Sequence, residues 1–331
     1  MLRIFHNTSY DFIRWWRVAV GLTVAFIAIG IGSLAIKGVN YSIEFTGGTL
    51  KQLSFKTPID AGKIRSTMDR AGFHDAEIQQ FGSPRDFTLR FRGAEEVAAQ
   101  SAGAELVSKR VDSVLYSAFG RNNVTVVRTE AISPTVGSEL RRNAIIAILL
   151  SFAITLVYLA IRFEWRFGLA AIIATGHDVF TTLAFVKLLH LEVSLTVVAA
   201  LLTVLGYSLN DTIIIFDRVR EDLRKGRKES LYDTLNRAIN ETLPRSILTH
   251  ATTAAATLAL LLFAGEVIRP FAWVMLFGIV TGTFSSIYIA GPVLIWIEHK
   301  YPRNVPATAW KGSSTATPTS RTKSSAATAT R

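Results

Sequence analysis

The stretch GYSLNDTIIIFDR, residues 206–218, places a carboxylate, Asp211, inside an otherwise apolar run. An ionised side chain in hydrocarbon costs about 2.5–3.5 kcal/mol on insertion scales, so such a group is neutral, paired or turned toward a wet interior. Tyr207 and Asn210 share its side of a helix, which makes a small polar cluster. Seven residues separate Asp211 from Arg218, so it lies roughly 10 Å below an interface marked by that arginine. Arg245 opens the next apolar block, followed by Thr249, Thr252, Thr253 and Thr257 at helical spacing. If the two blocks run antiparallel, Arg245 enters at the depth of Asp211 and its guanidinium is within reach. An ion pair that opens and closes changes the proton affinity of the carboxylate, which is the chemistry of proton coupling. The competing reading is a static buried pair that fixes helix register.

His177 and Asp178 form a second cluster, about 18 Å in from Arg166. Two roles fit Asp178: a hydrogen bond that ties neighbouring helices, or membership of a proton relay. His250, one turn after Ser246, reads as a packing histidine, with a relay role as the alternative. Asp217, beside Arg218, reads as a solvated or loop-pairing residue. Gly278, Gly282 and Ser286 make a small-xxx-small face that permits close helix contact, either within the chain or with another subunit.

The elements that must position these groups follow from composition. Half of the 331 residues are apolar and 18% are charged, mean hydropathy is positive, and the apolar residues are clumped. That is the pattern of a polytopic membrane protein. There are no cysteines, which excludes disulfides and thiolate chemistry. The net charge of +11 is concentrated between apolar blocks and in the tail, so it points to membrane topology and anionic lipid and not to nucleic acid. No cofactor or metal site is expected. Six blocks are long enough to cross a bilayer, which needs about 20 apolar residues: Val18 to Ile36, Asn143 to Ile161, Phe167 to Val186, Val193 to Phe216, Ser246 to Gly265 and Pro270 to Ile297. The first exceeds the roughly 7–15 residues of a signal-peptide core and reads as a retained anchor.

The segment 217–244 carries eight lysines and arginines including Arg245 at its border, whereas the third-to-fourth connection has Lys187 and the fifth-to-sixth has Arg269. The positive-inside rule therefore makes 217–244 a basic cytoplasmic loop, with both termini (1–17 and 301–331) cytoplasmic and residues 38–142 external. The external insert reads as an α+β domain: strand Leu50 to Lys56, helix Ala61 to Ala71, strands Glu77 to Phe81 and Phe87 to Phe91 around a Gly-Ser-Pro turn, helix Glu95 to Phe119 and strand Val124 to Thr129. The order βαββαβ is that of a ferredoxin-like unit. The remaining spans form a five-helix bundle over 143–300. The tail, rich in Ser, Thr and Ala, reads as disordered.

Several of these stretches resemble the SecD/SecF family of bacterial protein-export subunits, within the resistance-nodulation-division superfamily, and specifically its SecF branch. GVNYSIEFTGGT at 38–49 resembles the family's Gly-Gly motif, with Glu44 where Asp is usual. SPTVGSEL at 133–140 has Ser133 where Gly commonly precedes Pro. FEWRFGLAAIIATGHDV at 163–179, GYSLNDTIIIFDRVRE at 206–221 and LPRSILT at 243–249 resemble the third, fourth and fifth spans. The similarity covers about residues 10 to 300 and implies a non-enzymatic accessory subunit, half of a transporter whose other half is SecD. The pair would associate with the SecYEG channel and draw exported preprotein outward using the proton gradient, or sodium in one lineage. By the same resemblance Asp211 is the coupling carboxylate, Arg245 its basic partner, and Asp178 the aspartate of a His-Asp pair. The rival readings are a half-transporter moving a lipid or small molecule, a structural subunit whose ion pairs never move, and an intramembrane aspartyl protease. The protease would need Tyr-Asp and Gly-x-Gly-Asp, where this chain has His177-Asp178 and Asn210-Asp211.

Overall fold

A computed structural model describes residues 8–74, 76–80, 83–91, 101–225, 229–265 and 267–302, with side chains from 105 onward in the second of the small domain's helices. The expected disordered tail therefore lies, apart from its first two residues, outside the described residues. So do the start of the helix read from Glu95, the glycine of the Gly-Ser-Pro turn, Phe81, Arg227 and Lys228.

Among the described residues, six helices are long and apolar enough to span a membrane: Ile13–Lys37, Pro134–Arg162, Trp165–Leu188, Leu195–Arg224, Leu231–Phe263 and Arg269–Lys300. In hydrocarbon every backbone N–H and C=O must be satisfied within the segment, and a helix does this. Their starts are written in the sequence. Ser133, Ser194 and Ser230 each stand just before a span and accept a hydrogen bond from a backbone N–H three residues on, from Val136, Val197 and Asp233. Ser133 is thus an N-cap followed by Pro134 in the first turn, where a missing N–H costs nothing. The third, fourth and sixth spans are at least half buried, whereas the first, second and fifth expose most of their surface. The sixth is interrupted by a π-helical stretch, Ser286–Ala290, a feature frequent at functional sites.

Two boundaries differ from the sequence reading. The basic segment 217–244 is not a loop: the fourth helix runs on to Arg224 and the fifth begins at Leu231, with Pro244 inside it. Hydropathy marks where a helix leaves the apolar layer, not where it ends. The extensions are held by ion pairs, Arg218 to Glu221 (2.7 Å) and Glu241 (2.5 Å), and Arg237 to Asp222 (3.0 Å) and Glu229. Asp217 is exposed. The first helix likewise starts earlier than Val18, and the chain before it docks on the fifth helix through Tyr10 with Asn240 and Phe12 with Asn236.

Between the first and second spans lies the α+β unit. Strands β1 (Gly48–Phe55), β2 (Glu77–Gln80), β3 (Asp86–Phe91) and β4 (Val124–Ile132), with helices Ala61–Arg70 and Ser101–Phe119, give the chain order βαββαβ. The sheet order is β2-β3-β1-β4, every pair antiparallel, which is the ferredoxin-like arrangement. Alternate residues Leu53, Phe55, Phe87, Leu89 and Phe91 face Ile64, Met68, Val111 and Leu115 of the two helices. Lys51 also points inward, fully buried, with its ammonium on Asp112 (2.6 Å) and Thr129 (3.2 Å).

The unit is tied to the spans at its root. A single parallel bridge joins Tyr41 to Val193, with Val193 N–H on Asn40 O (2.7 Å) and Ser42 N–H on Val193 O (3.0 Å). The Gly-Gly motif turns at positive φ, 75° at Gly47 and 124° at Gly48. A Cβ at Gly47 would lie 2.7 Å from Pro134 Cα, so only glycine lets the motif pass this close to the second span.

Candidate functional site

Asp211 faces the bundle interior and is buried. Ser246, on the fifth span, donates to Asp211 Oδ1 at 2.5 Å. The second oxygen, Oδ2, is buried without a hydrogen-bond partner among the described residues. His250, one turn below Ser246, is buried and donates from Nδ1 to the Ser246 carbonyl at 2.6 Å. Its ring meets Tyr207 edge to face, with centroids 5.2 Å apart. Tyr207 in turn donates to the Thr249 carbonyl (2.9 Å) and meets Thr253 Oγ1 (3.0 Å). Tyr207, Asp211, Ser246 and His250 therefore stitch the fourth span to the fifth.

The ion pair expected between Asp211 and Arg245 is not formed. Arg245 is exposed on the adjacent face of the fifth span, and the group on Asp211 is its neighbour Ser246. The physical reason is helical phase: consecutive residues are about 100° apart, so a span that turns Ser246 inward turns Arg245 away. The sequence reading placed Ser246 at the start of the fifth span and one turn before His250, without linking it to Asp211. Asn210 is also exposed, as are Thr249 and Thr252. Together with Arg245 they form an open polar stripe across the fourth and fifth spans. The hydroxyl of Thr249 donates to backbone carbonyls of its own helix.

Asp178 sits in a different junction. Ser208 of the fourth span and Ser285 of the sixth (2.7 Å) both donate to Oδ2, and His177 Nδ1 donates to Oδ1 at 3.1 Å. Three spans thus converge on one carboxylate. His177 also lines a cavity of about 570 Å³ that reaches Trp296 and His299 at the far end of the sixth span. The small-residue face of the sixth span packs within the chain. Gly278 lies on Val204, Gly282 on Ser208, and Ser286 meets Thr212 at 2.9 Å. All three pairs repeat at four residues along both helices, the signature of close helix packing through small residues. Among the described residues no group of three or more metal-ligating side chains occurs.

Comparison with known proteins fits this geometry. A family model described as "Protein export membrane protein SecD/SecF, C-terminal" matches residues 113–300, and the "SecD/SecF GG Motif" model matches 32–59. The chain is 65% identical over 305 residues to the protein translocase subunit SecF of Gemmatimonas aurantiaca, covering 92% of this chain and 91% of that one. It is 36% identical over 292 residues to the SecF of Escherichia coli O157:H7, covering 88% of each. Among solved structures, SecDF of Thermus thermophilus, a translocon-associated membrane protein, matches with a TM-score of 0.77 and 34% identity over 88% of this chain. SecDF in a super-membrane-facing form matches at 0.64 over 89%. The chain spans only 39% of either SecDF chain. With the family model covering more than half its length, and with the six-span bundle and ferredoxin-like insert in place, the chain belongs to the SecD/SecF family of protein-export membrane proteins.

Proposed function

We propose that the protein is an accessory subunit of Sec export in the bacterial inner membrane that works as one half of a SecD-containing pair, with Asp211 as its ion-coupling carboxylate. One observation carries the coupling role. Asp211 is buried in an apolar span with one oxygen held by Ser246 and the other without a partner. An anion left half-satisfied there is costly, so the site favours taking up a cation, and a proton is the smallest.

The magnitudes are matched. One proton falling through 100 mV yields about 2.3 kcal/mol, and a hydrogen bond to a charged group contributes about 1.5–3 kcal/mol. Protonation of Asp211 is thus comparable with the Ser246 bond that joins the fourth and fifth spans, and can shift their packing. In this arrangement Arg245 stands away from Asp211. The exposed stripe of Asn210, Arg245, Thr249 and Thr252 is a poor surface for lipid and a suitable one for the complementary half. That agrees with the 39% share of SecDF that the chain accounts for. Asp178 and His177 hold the neighbouring junction in register, with the 570 Å³ cavity as an approach to His177. The basic extensions around 217–244 lie on the cytoplasmic side with both termini, and the ferredoxin-like unit faces outward, where it contacts preprotein emerging from SecYEG.

The test is export into vesicles that contain the complementary half and the channel, with and without an imposed gradient. Asp211→Asn and Arg245→Met are expected to abolish gradient-dependent stimulation while the subunits still assemble. Stimulation that persists in Asp211→Asn rejects the role.

A further inference from the structure

Where the first four spans approach the ferredoxin-like unit they enclose a cavity of about 430 Å³, within the 300–1,000 Å³ usual for small-molecule sites. Its walls are apolar: Ile31 and Leu34 of the first span, Ile145 and Ile148 of the second, Phe180 and Leu183 of the third. It extends from Lys187 to Phe180 along the third span, roughly 10 Å. Two cations, Arg141 and Lys187, stand on its lining.

Neither cation has an anionic partner among the described residues. Lys187 is buried, only 7% exposed, and its ammonium donates to the Gly38 carbonyl at 2.5 Å, with two further protons available. A buried ammonium without a counter-charge is costly unless an anion completes it. Arg141 is exposed and lies over the Tyr41 ring at 5.8 Å. Glu44 and Glu192, each next in sequence to a residue of the lining, are engaged elsewhere, Glu44 on the Leu195 N–H and Glu192 on Arg90. Both cations sit where spans meet the polar layer: Lys187 is the last residue but one of its helix, and Arg141 is in the second turn of its own. That is headgroup depth.

We propose that this groove is a phospholipid site, with the phosphate between Arg141 and Lys187 and an acyl chain along the apolar walls. The charge pattern selects the occupant. A protein helix would supply an apolar face without a fixed anion, and a free phosphate would leave the walls open. A glycerophospholipid from the leaflet on the side of the ferredoxin-like unit satisfies both parts. A lipid there would brace the root of that unit, because Tyr41 and Val193 line the same groove.

The probe is phosphatidylglycerol added to the purified full chain, with retained lipid counted by native mass spectrometry. Diacylglycerol of the same acyl chains is the neutral comparison, and inorganic phosphate the tail-free one. One phosphatidylglycerol per chain is expected, with diacylglycerol retained about tenfold less, the ratio a single charge-assisted hydrogen bond supports. Arg141→Gln and Lys187→Met should each reduce retention about tenfold. Ala144→Phe, which narrows the groove while leaving both charges in the chain, should abolish retention, and Lys109→Gln on the ferredoxin-like unit should leave it unchanged. Should Lys187→Met not fold, Arg141→Gln and Ala144→Phe decide the matter. Equal retention of diacylglycerol, phosphate binding as tight as the lipid, or wild-type retention in both deciding variants overturns the proposal.

Discussion

Glu44 accepts a hydrogen bond from the backbone N–H of Leu195 at 2.5 Å. Leu195 is the first residue of the span that carries Asp211, and Glu44 belongs to the Gly-Gly segment at the root of the ferredoxin-like unit. A carboxylate at a helix N-terminus satisfies an orphan donor and complements the helix dipole. With the Tyr41–Val193 bridge and the Arg90–Glu192 pair, it makes a direct connection from the ferredoxin-like unit to the helix that carries Asp211. Substitution Glu44→Ala should cost about 0.5–2 kcal/mol locally, as for a lost cap. Amide exchange at Leu195 and Thr196 should then accelerate several-fold while the middle of the span is unaffected. Exchange rates equal to wild type would show that the contact does not hold the helix end.

The packing of the fourth span on the sixth gives a contrast between glycines. A Cβ at Gly278 would meet Val204 Cγ2 at 2.2 Å and one at Gly282 would meet Ser208 Cβ at 2.9 Å, whereas Gly206 has nothing within 4 Å. Gly278→Val should destabilise the bundle by about 1–3 kcal/mol through overpacking, read as a lower melting temperature in detergent. Gly206→Leu should leave the isolated chain's melting unchanged. Gly206 is exposed on the fourth span one turn from Asn210, so the same substitution should weaken co-purification with the complementary half. Undisturbed pairing by Gly206→Leu would move the partner surface elsewhere.

Six apolar blocks and an alternating strand pattern made the bundle and the ferredoxin-like unit legible, because burial in lipid and in a two-layer domain each impose a strict period. Asp211 and Asp178 were legible because charge inside such a block has few tolerable roles. Their serine partners were not. Ser208, Ser246 and Ser285 are unremarkable in an apolar run, and only the phase between helices shows that Ser246 reaches Asp211 where Arg245 does not. Lys187 read as a topological marker, and its burial beside a groove depends on four spans meeting. Glu44 differed from the family's aspartate by one methylene, yet nothing local to it indicates Leu195, 151 residues away.

Outside the membrane, Asp86 opens β3 and accepts from the hydroxyls of Ser83 (2.5 Å) and Ser54 (2.7 Å). These two bonds hold its carboxyl below the ordinary value of 3.8, the Ser83 bond contributing most. A carboxyl whose value is lower in the folded state contributes stability above its unfolded value, and that contribution is lost as pH falls through the folded value. The β1–β3 pairing should therefore be insensitive to pH between 5 and 8, approximate bounds set by the usual carboxyl range, and loosen below about pH 4. Hydrogen exchange in β1 and β3 across an acid titration reads this directly. Asp86→Asn should flatten the acid limb, and an unchanged limb would assign the loss to other carboxyls.

Asp178 separates a structural tie from a relay. Ser208 and Ser285 donate to the same oxygen, Oδ2, and approach from two different spans. Removing one hydroxyl leaves the other in place, so Ser208→Ala or Ser285→Ala alone should cost about 1.5–3 kcal/mol at most, the range for a hydrogen bond to a charged group. Removing both leaves Oδ2 buried without a donor and should cost more than the sum of the two. On an Asp178→Asn background the serine substitutions should have little further effect, because the shared acceptor charge is gone. Residues in one network show such coupling at about 0.5–3 kcal/mol. Gradient-dependent export, corrected for the amount of folded protein, discriminates the roles. A tie predicts that Ser208→Ala retains the full stimulation ratio despite its lower melting temperature. A relay through Ser208 predicts that the ratio falls at unchanged stability, because a hydroxyl that passes a proton is needed for transfer and not for packing. The convergence of three spans on one carboxylate, with both its oxygens occupied, favours the tie, in contrast to Asp211, whose second oxygen is left without a donor.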